Sequence, residues 1–82
     1  MLPKELFTQA PLIDLEGNKR MRIENYQTIL EFTDEVLRLR MLQKGLIYKV
    51  QGKNLLIRGV TKREIFLEGH ITGLVVEGEE KK

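Results

Sequence analysis

The feature that most constrains this chain is a two-residue alternation of apolar and charged side chains. In the segment "EVLRLRM", Leu37, Leu39 and Met41 alternate with Arg38 and Arg40. Successive side chains of a β-strand point to opposite faces of a sheet, so this order gives a strand one apolar face and one charged face. The alternation therefore predicts a strand with one face buried and one face in water.

The same pattern recurs through most of the chain and predicts an all-β domain. Shorter alternating runs occur in "LIDLEG", "KRMRIENY", "GLIYKV" and "EIFLEG", and Gly or Asn residues separate them. Gly and Asn tolerate the positive φ angles of tight hairpin turns. We predict one small domain of about seven or eight short, mostly antiparallel strands, arranged as a sandwich or a roll.

The alternation also assigns side chains to the two faces of each strand. Apolar positions are expected in the core, namely Leu39, Val50, Ile57 and Leu67. The charged positions are expected on the opposite faces, namely Arg38, Arg40 and Lys49.

Two segments also admit a helical interpretation. "EFTDEVLRLRMLQK" could be a helix with Thr33 or Asp34 as its N-cap, although the strict alternation favours a strand. "PKELFTQ" could form one short helical turn with Pro3 at its first position.

A five-residue string occurs twice with one change, as "IDLEG" at residues 13–17 and "IFLEG" at residues 65–69. Internal repetition is one explanation, supported by a looser likeness between "LRMLQKGLIYKVQG" and "LIRGVTKREIFLEG". The favoured explanation is structural: an inward Ile and Leu, an outward Glu and a turn Gly suit a half-buried strand that ends in a turn. Gly52 and Gly69 follow such strands, so we expect a positive φ in at least one of them.

Length and composition limit the class of protein. The 82 residues suit one domain, with residues 1–10 as an N-terminal extension, 11–77 as the all-β domain and 78–82 as a charged tail. A chain this short buries only roughly 60% of its unfolded surface, so it gains from economical packing or a partner. It has no cysteine, no apolar run long enough to span a membrane and no secretory signal pattern. We expect a cytoplasmic protein.

The residue types of catalytic sites are sparse. His70 is the one histidine, and ligands at suitable spacing for a metal do not surround it in the sequence. The carboxylates mostly occupy outward strand positions, where they are usually just solvated. We therefore expect no enzyme activity, no cofactor and no metal.

The arginines suggest a second interpretation. Arg38 and Arg40 share one strand face, Arg20 and Arg22 share another, and Arg58 follows Ile57. Neighbouring strands could join these arginines in a basic strip that meets nucleic acid, anionic lipid head groups or an acidic protein face. The favoured alternative is that they pair across strands with carboxylates, namely Glu24, Glu31 and Glu68. A nucleic-acid-binding barrel would also expose aromatic side chains for stacking. Phe32 and Tyr48 are expected to be buried, which leaves Phe7, Tyr26 and Phe66.

The order of motifs resembles the YabP/YqfC family of small sporulation proteins from endospore-forming bacteria, and its YqfC branch in particular. The resemblance covers residues 3–76, including "LPKELFTQAPLIDLEGN" and "IENYQTILEFTDEVLRLR". Its most specific residues lie in the carboxyl half: Gly52, Asn54, Leu55, Ile57, Ile65, Leu67, Gly69, Ile71 and Leu74. The resemblance implies a role in endospore formation, in the mother cell, beside a membrane-associated sporulation protein of the YqfD type. It implies no catalytic residue.

We therefore expect a non-enzymatic interaction or scaffold module in the mother-cell cytoplasm, at the periphery of the membrane around the forespore. The apolar, uncharged run "HITGLVV" is the expected edge strand, with Ile71, Leu74 and Val76 as partner-binding side chains. The partner would be the membrane-associated protein or a second copy. The alternative is a small nucleic-acid-binding β-barrel that uses the face of Arg38 and Arg40.

Overall fold

The computed structural model describes residues 10–78, which form six β-strands in one antiparallel sheet. The strands are β1 (Leu12–Glu16), β2 (Arg20–Glu24), β3 (Tyr26–Phe32), β4 (Val36–Met41), β5 (Ile47–Val60) and β6 (Glu64–Gly78). Their order across the sheet is β1-β2-β6-β5-β4-β3. The predicted all-β class is confirmed. The helical turn expected in "PKELFTQ", the side chain of Phe7 and residues 79–82 of the tail lie outside the described residues.

The strands are fewer and longer than the seven or eight expected. β5 has 14 residues and β6 has 15, because Gly52, Gly59, Gly69 and Gly73 lie inside these strands and do not end them. The β5–β6 pairing shifts register at several points, two of them beside Gly52 and Gly59. Glycine inside a strand often marks such a bulge or bend. Gly69 has a φ of +141°, which confirms the expectation that at least one of Gly52 and Gly69 would have a positive φ.

The sheet must curl, because Asn25 alone joins β2 to β3. Four steps of the sheet order separate these strands, which in a flat sheet would span about 19 Å. Two residues of extended chain reach only about 7 Å. The curl gives the molecule two halves that share β5 and β6 and face each other across the core. The fold is thus a curled single sheet, and it does not have the two separate sheets of a sandwich.

Each half-sheet has a defined set of strands. The first half-sheet contains β1, β2, residues 64–68 of β6 and residues 56–60 of β5. The second half-sheet contains residues 70–78 of β6, residues 47–53 of β5, β4 and β3. Both halves contribute to one core cluster: Met21, Ile23, Tyr26, Leu37, Leu39, Met41, Val50, Leu55, Ile65, Leu67 and Ile71. Leu39, Val50 and Leu67 are buried as predicted, and Ile57 is partly buried against this cluster.

Three side chains depart from the sequence expectation, and each departure follows from the curl or from an edge. Tyr26 is buried where the chain passes between the halves, and its hydroxyl donates a hydrogen bond to the Thr61 carbonyl at 2.9 Å. Phe32 is exposed because it ends an outermost strand, β3. Leu15, expected beside Ile13 on the inner face, is exposed because β1 is the opposite outermost strand.

The helical interpretation of "EFTDEVLRLRMLQK" is wrong, and the preferred strand is confirmed as β4. The Thr33 hydroxyl still accepts N–H groups as an N-cap would, from Glu35 at 3.1 Å and Val36 at 3.0 Å. Here the chain returns as a strand, since the Thr33 N–H donates to the Val36 carbonyl at 2.8 Å. Thr61 closes the β5–β6 turn with the same set of contacts. Two hairpins therefore use one three-residue turn design.

The repeated string has a structural explanation. "IDLEG" covers most of β1, and "IFLEG" lies in the first half of β6, so the two copies flank β2 on opposite sides. Both pair with β2 in the same register, since Ile23 faces Ile13 on one side and Ile65 on the other. Arg20 likewise faces Glu16 and Glu68. The two copies therefore share a structural setting beside β2, which agrees with a structural explanation for the repeat. The predicted turn follows only the first copy, because Gly17 comes after β1 whereas Gly69 lies inside β6.

Asn25 fixes the corner at which the sheet curls. It is the one polar residue among those described as buried, with 8% of its surface exposed, and its φ is +71°. Its N–H donates to the Arg63 carbonyl at 2.7 Å, and its carbonyl accepts from the Leu42 N–H at 2.8 Å. Its side-chain Nδ2 donates to the Ala10 carbonyl at 2.6 Å. Asn25 thus forms hydrogen bonds to the β5–β6 turn, the β4–β5 loop and the start of the domain.

We expect Asn25→Ala to lower the free energy of unfolding by about 2 kcal/mol, since it removes a buried hydrogen bond and places alanine at positive φ. Asn25→Gly removes the same side-chain bond but adopts positive φ without strain, so about 1 kcal/mol is expected. Urea unfolding of both variants measures the difference. Equal losses for the two variants would show that the backbone conformation at this corner contributes nothing.

Candidate functional site

Within residues 10–78, the second half of β6 has a strand neighbour on one side only. β2 pairs with residues 64–68 of β6. The β1–β2 turn adds two hydrogen bonds on the same side of β6. The Gly69 N–H donates to the Lys19 carbonyl at 2.9 Å, and the Ile71 N–H donates to the Asn18 carbonyl at 2.8 Å. Beyond this point, the described chain supplies β5 as a partner and no strand on the other side. We call residues 72–78, on the side away from β5, the β6 edge.

The β6 edge carries the densest run of exposed apolar side chains in a strand. Leu74, Val75 and Val76 are consecutive and are 39%, 44% and 52% exposed. Leu74 faces Val50 and Val76 faces Tyr48, which places both on the inner face of the sheet. Val75 faces Lys49 across β5 and so lies on the outer face. An added strand would therefore cover apolar surface on both faces at once.

The two outermost strands of the sheet carry features that oppose pairing along their whole length, whereas the β6 edge has an uncharged, regular stretch at residues 73–76. β1 has only five residues and carries Asp14 and Glu16 on its outer face. β3 has two register shifts in its pairing with β4, which disturb a regular edge. Short length, charge and bulges are the usual devices that prevent unwanted strand addition. Residues 73–76 of β6 are uncharged and pair with β5 without a register shift, although shifts flank them at Thr72 and Glu77. These four residues, with their exposed apolar side chains, mark the β6 edge as the candidate site.

The structure separates the five residues expected at a partner site. Ile71 is buried in the core cluster, so its side chain cannot contact a partner and the expectation for it is wrong. Leu74 and Val76 are exposed on the β6 edge. Arg38 and Arg40 lie on the outer face of β4, two strands away in the sheet order. Val75, which belongs to the same uncharged run and was not among these five residues, is exposed beside them.

The strand β6, which contains the run predicted to be an edge, lies at an edge over only about half of its length. β6 is a central strand through residues 64–68, between β2 and β5, and becomes an edge only after Ile71. The physical reason is the difference in length, since β6 has 15 residues and β2 has five.

Arg20, Arg22, Arg38 and Arg58 pair with carboxylates. The favoured alternative is confirmed for Glu31 and Glu68, which pair across strands, whereas Glu24 pairs with Arg22 on the same strand. Arg20 reaches Glu68 at 3.4 Å, Arg22 reaches Glu24 at 3.1 Å, and Arg38 reaches Glu31 at 3.9 Å. Further ion pairs join Glu16 to Arg20, Asp14 and Glu64 to Arg22, Glu77 to Arg38, and Glu68 to Arg58. The outer face therefore carries positively and negatively charged side chains next to one another.

The strongest of these contacts joins Arg22 on β2 to Asp14 on β1, with Nη2 2.6 Å from Oδ2. This hydrogen bond is the main cause that raises the pKa of the Arg22 guanidinium, and the charge of Glu24 adds to it. Arg22 therefore stays charged and is matched by neighbouring carboxylates, which leaves little net positive potential on this face.

His70 is an exposed strand residue. Its Nδ1 lies 3.4 Å from the side-chain amide nitrogen of Asn18, across the junction of the β1–β2 turn and β6. Among residues 10–78, no three His, Cys, Asp or Glu side chains are grouped so that they could hold a metal ion. In the same residues, no helix has the length and apolar character needed to cross a bilayer.

Comparison with known proteins gives the family. Residues 8–82 match the YabP family. A Bacillus subtilis (strain 168) protein, named "Uncharacterized protein YqfC", is 33% identical over 70 residues, which cover 85% of this chain and 73% of that protein. No solved structure matches the chain. The chain therefore belongs to the YabP family.

Proposed function

We propose that this protein is a non-enzymatic β-sheet interaction module that acts in endospore formation by accepting an additional strand at the β6 edge. Its place of action is the mother cell, at the surface of the membrane around the forespore. Family membership supports the role in sporulation. The observation that carries the mode of action is the β6 edge, which has three exposed apolar side chains and no neighbouring strand in the described chain on the side away from β5.

Strand addition suits this edge because it provides affinity and specificity together. Main-chain hydrogen bonds to the open side of β6 supply affinity, and alternate side chains select the partner. Leu74 and Val76 would be covered on the inner face and Val75 on the outer face. Burial of apolar area contributes about 25 cal/mol per Å², so three such side chains stabilise a complex appreciably.

The proposal includes a membrane-associated sporulation protein of the YqfD type as a member of the same complex.

The described residues offer no grouped metal ligands, and their single histidine is exposed and contacts an asparagine. The features that the sequence and the fold do offer are those of a binding module. The arginine face is the weaker candidate, since carboxylates match most of its charge.

The experiment uses Val75→Glu in an endospore-forming host that otherwise lacks the protein. The new carboxylate would lie beside Lys49 and in the same row as Arg38, so the fold should tolerate it. It would also place a charge where an apolar strand must pack. We expect roughly a tenfold loss of captured membrane-associated partner from sporulating cells, equivalent to about 1.4 kcal/mol, together with reduced spore yield.

Val60→Glu is the matched control, because Val60 is also an exposed strand valine but lies in the first half-sheet. It should capture partner and form spores as the wild type does. A double variant, Arg38→Ala with Arg40→Ala, tests the alternative surface. If Val75→Glu behaves like wild type and the double variant alone fails, the edge is the wrong site and the arginine face is the contact.

A further inference from the structure

We propose that the strand that completes the β6 edge is the same edge of a second copy of this chain, aligned antiparallel about a twofold axis at Val75. This inference rests on the proposed function, because it names the occupant of the same edge. A symmetric dimer requires a surface that is complementary to itself. The β6 edge meets that requirement in its order of residues.

The register centred on Val75 matches every apolar side chain with another. Val75 faces Val75 of the second copy, and Leu74 faces Val76 of the second copy in both directions. Directly opposed residues of an antiparallel pair lie on the same face. Leu74 and Val76 share the inner face within one copy, so the two inner faces meet as one apolar surface.

The neighbouring registers lose this match. Centring the pair on Leu74 places Val76 opposite Thr72, and centring it on Val76 places Val75 opposite Glu77. The register centred on Val75 instead places Glu77 opposite Gly73, so the two Glu77 carboxylates stay apart. Glu77 also keeps its own partner there, since Arg38 Nη2 lies 3.0 Å from its Oε1.

The resulting assembly is closed. Each described chain has one β6 edge, and pairing two copies uses both, so no further β6 edge remains to extend a filament. The second half-sheets of the two copies join into one continuous sheet in the order β3-β4-β5-β6-β6-β5-β4-β3. The dimer also gives this short chain additional burial, which small domains need.

A charge exchange at Val75 tests the register. Purified wild type should show self-association in sedimentation equilibrium, with a limiting mass of twice the 9.6 kDa chain. Val75→Glu alone, and Val75→Lys alone, should each weaken self-association roughly tenfold, since like charges would face each other across the axis. An equimolar mixture should recover association to within about twofold of wild type, since the mixed pair carries opposite charges. Urea unfolding of each variant shows whether the monomer is folded.

A cysteine at the same position reports the geometry directly, because the chain has no other cysteine. Opposed residues in an antiparallel pair have Cα atoms about 4.5–5.5 Å apart, which a disulfide can bridge. Val75→Cys should therefore form a disulfide-linked dimer under mild oxidation. Val60→Cys should stay largely monomeric, because Val60 is at least as exposed as Val75 but lies at the far end of β5.

Two results would overturn the inference. One is wild-type protein that remains at 9.6 kDa at all concentrations, with Val75→Cys oxidising no faster than Val60→Cys. The other is a mixture of the Glu and Lys variants that associates no better than either alone. If either occurs while Val75→Glu still loses its partner in sporulating cells, the proposed function stands and another protein occupies the edge. If partner capture is also unchanged, both proposals are wrong.

Discussion

Replacing Leu39 with alanine lowers the free energy of unfolding by about 2–5 kcal/mol. Leu39 is 0% exposed and lies in the middle of β4, between Ile29 on β3 and Tyr48 on β5. Truncation removes buried methyl groups and leaves a cavity where both halves of the curled sheet meet. Small domains have only about 5–15 kcal/mol of stability in total, so much of it depends on this residue.

Leu56→Ala is the matched control for Leu39→Ala. Leu56 is also a strand leucine, on β5, but it is 51% exposed. A loss of at most about 0.5 kcal/mol is expected for it. Urea denaturation followed by far-UV circular dichroism measures both variants. Similar losses at the two positions would contradict the assignment of the inner face.

Gly69→Ala should cost about 2–4 kcal/mol, for two additive reasons. The φ of +141° is a conformation that residues with a side chain rarely adopt. A Cβ at this position would also lie 2.6 Å from the Asn54 carbonyl oxygen and 2.9 Å from the Leu55 Cα. Backbone atoms cannot move aside cheaply, so the bend shared by β5 and β6 would open.

Two other glycines separate these causes. Gly78 has a φ of +80°, but a Cβ added there would have no described atom within 4 Å, so Gly78→Ala should show backbone strain alone, about 1 kcal/mol. Gly52 is not at positive φ, yet its added Cβ would contact the His70 carbonyl, so Gly52→Ala should show the steric cost alone. Equal tolerance at all three positions would contradict the close approach of the two long strands.

The sequence predicts the faces of strands well where both neighbours are present. The alternation in β4 places Leu37, Leu39 and Met41 in the core, and the structure agrees. It fails for Leu15 and Phe32, because an outermost strand lacks the neighbour that would cover its inner face. Alternation identifies a face but does not say which strand lies at the edge of the sheet.

The curl is the part of the fold that the sequence could not supply. Gly52 and Gly69 carry the usual signals of turns, yet they lie inside strands whose ladder continues past them. Whether a glycine ends a strand or bends it depends on what packs on either side. Asn25 is similar, since its positive φ suits a turn but its function in the corner depends on Ala10, Leu42 and Arg63.

The candidate site was predictable in location and not in detail. An uncharged apolar run near the end of the all-β domain indicated an edge, and residues 72–78 are one. Ile71 was assigned to the wrong role because the register shift beside Gly52 places it in the core. The pairing of arginines with carboxylates followed from alternation on neighbouring strands, although sequence alone could not fix which partners meet.

Hydrogen exchange at those backbone amides of residues 72–78 that point away from β5 tests most directly whether another strand closes the β6 edge. At concentrations where wild type self-associates, these amides should exchange roughly tenfold more slowly than in Val75→Glu, because main-chain hydrogen bonds protect them. The amides of β4 should be equally slow in both proteins, which shows that the fold is intact. Fast exchange of these outward-pointing amides in wild type at every concentration, with β4 still protected, would contradict pairing of this edge with a second copy.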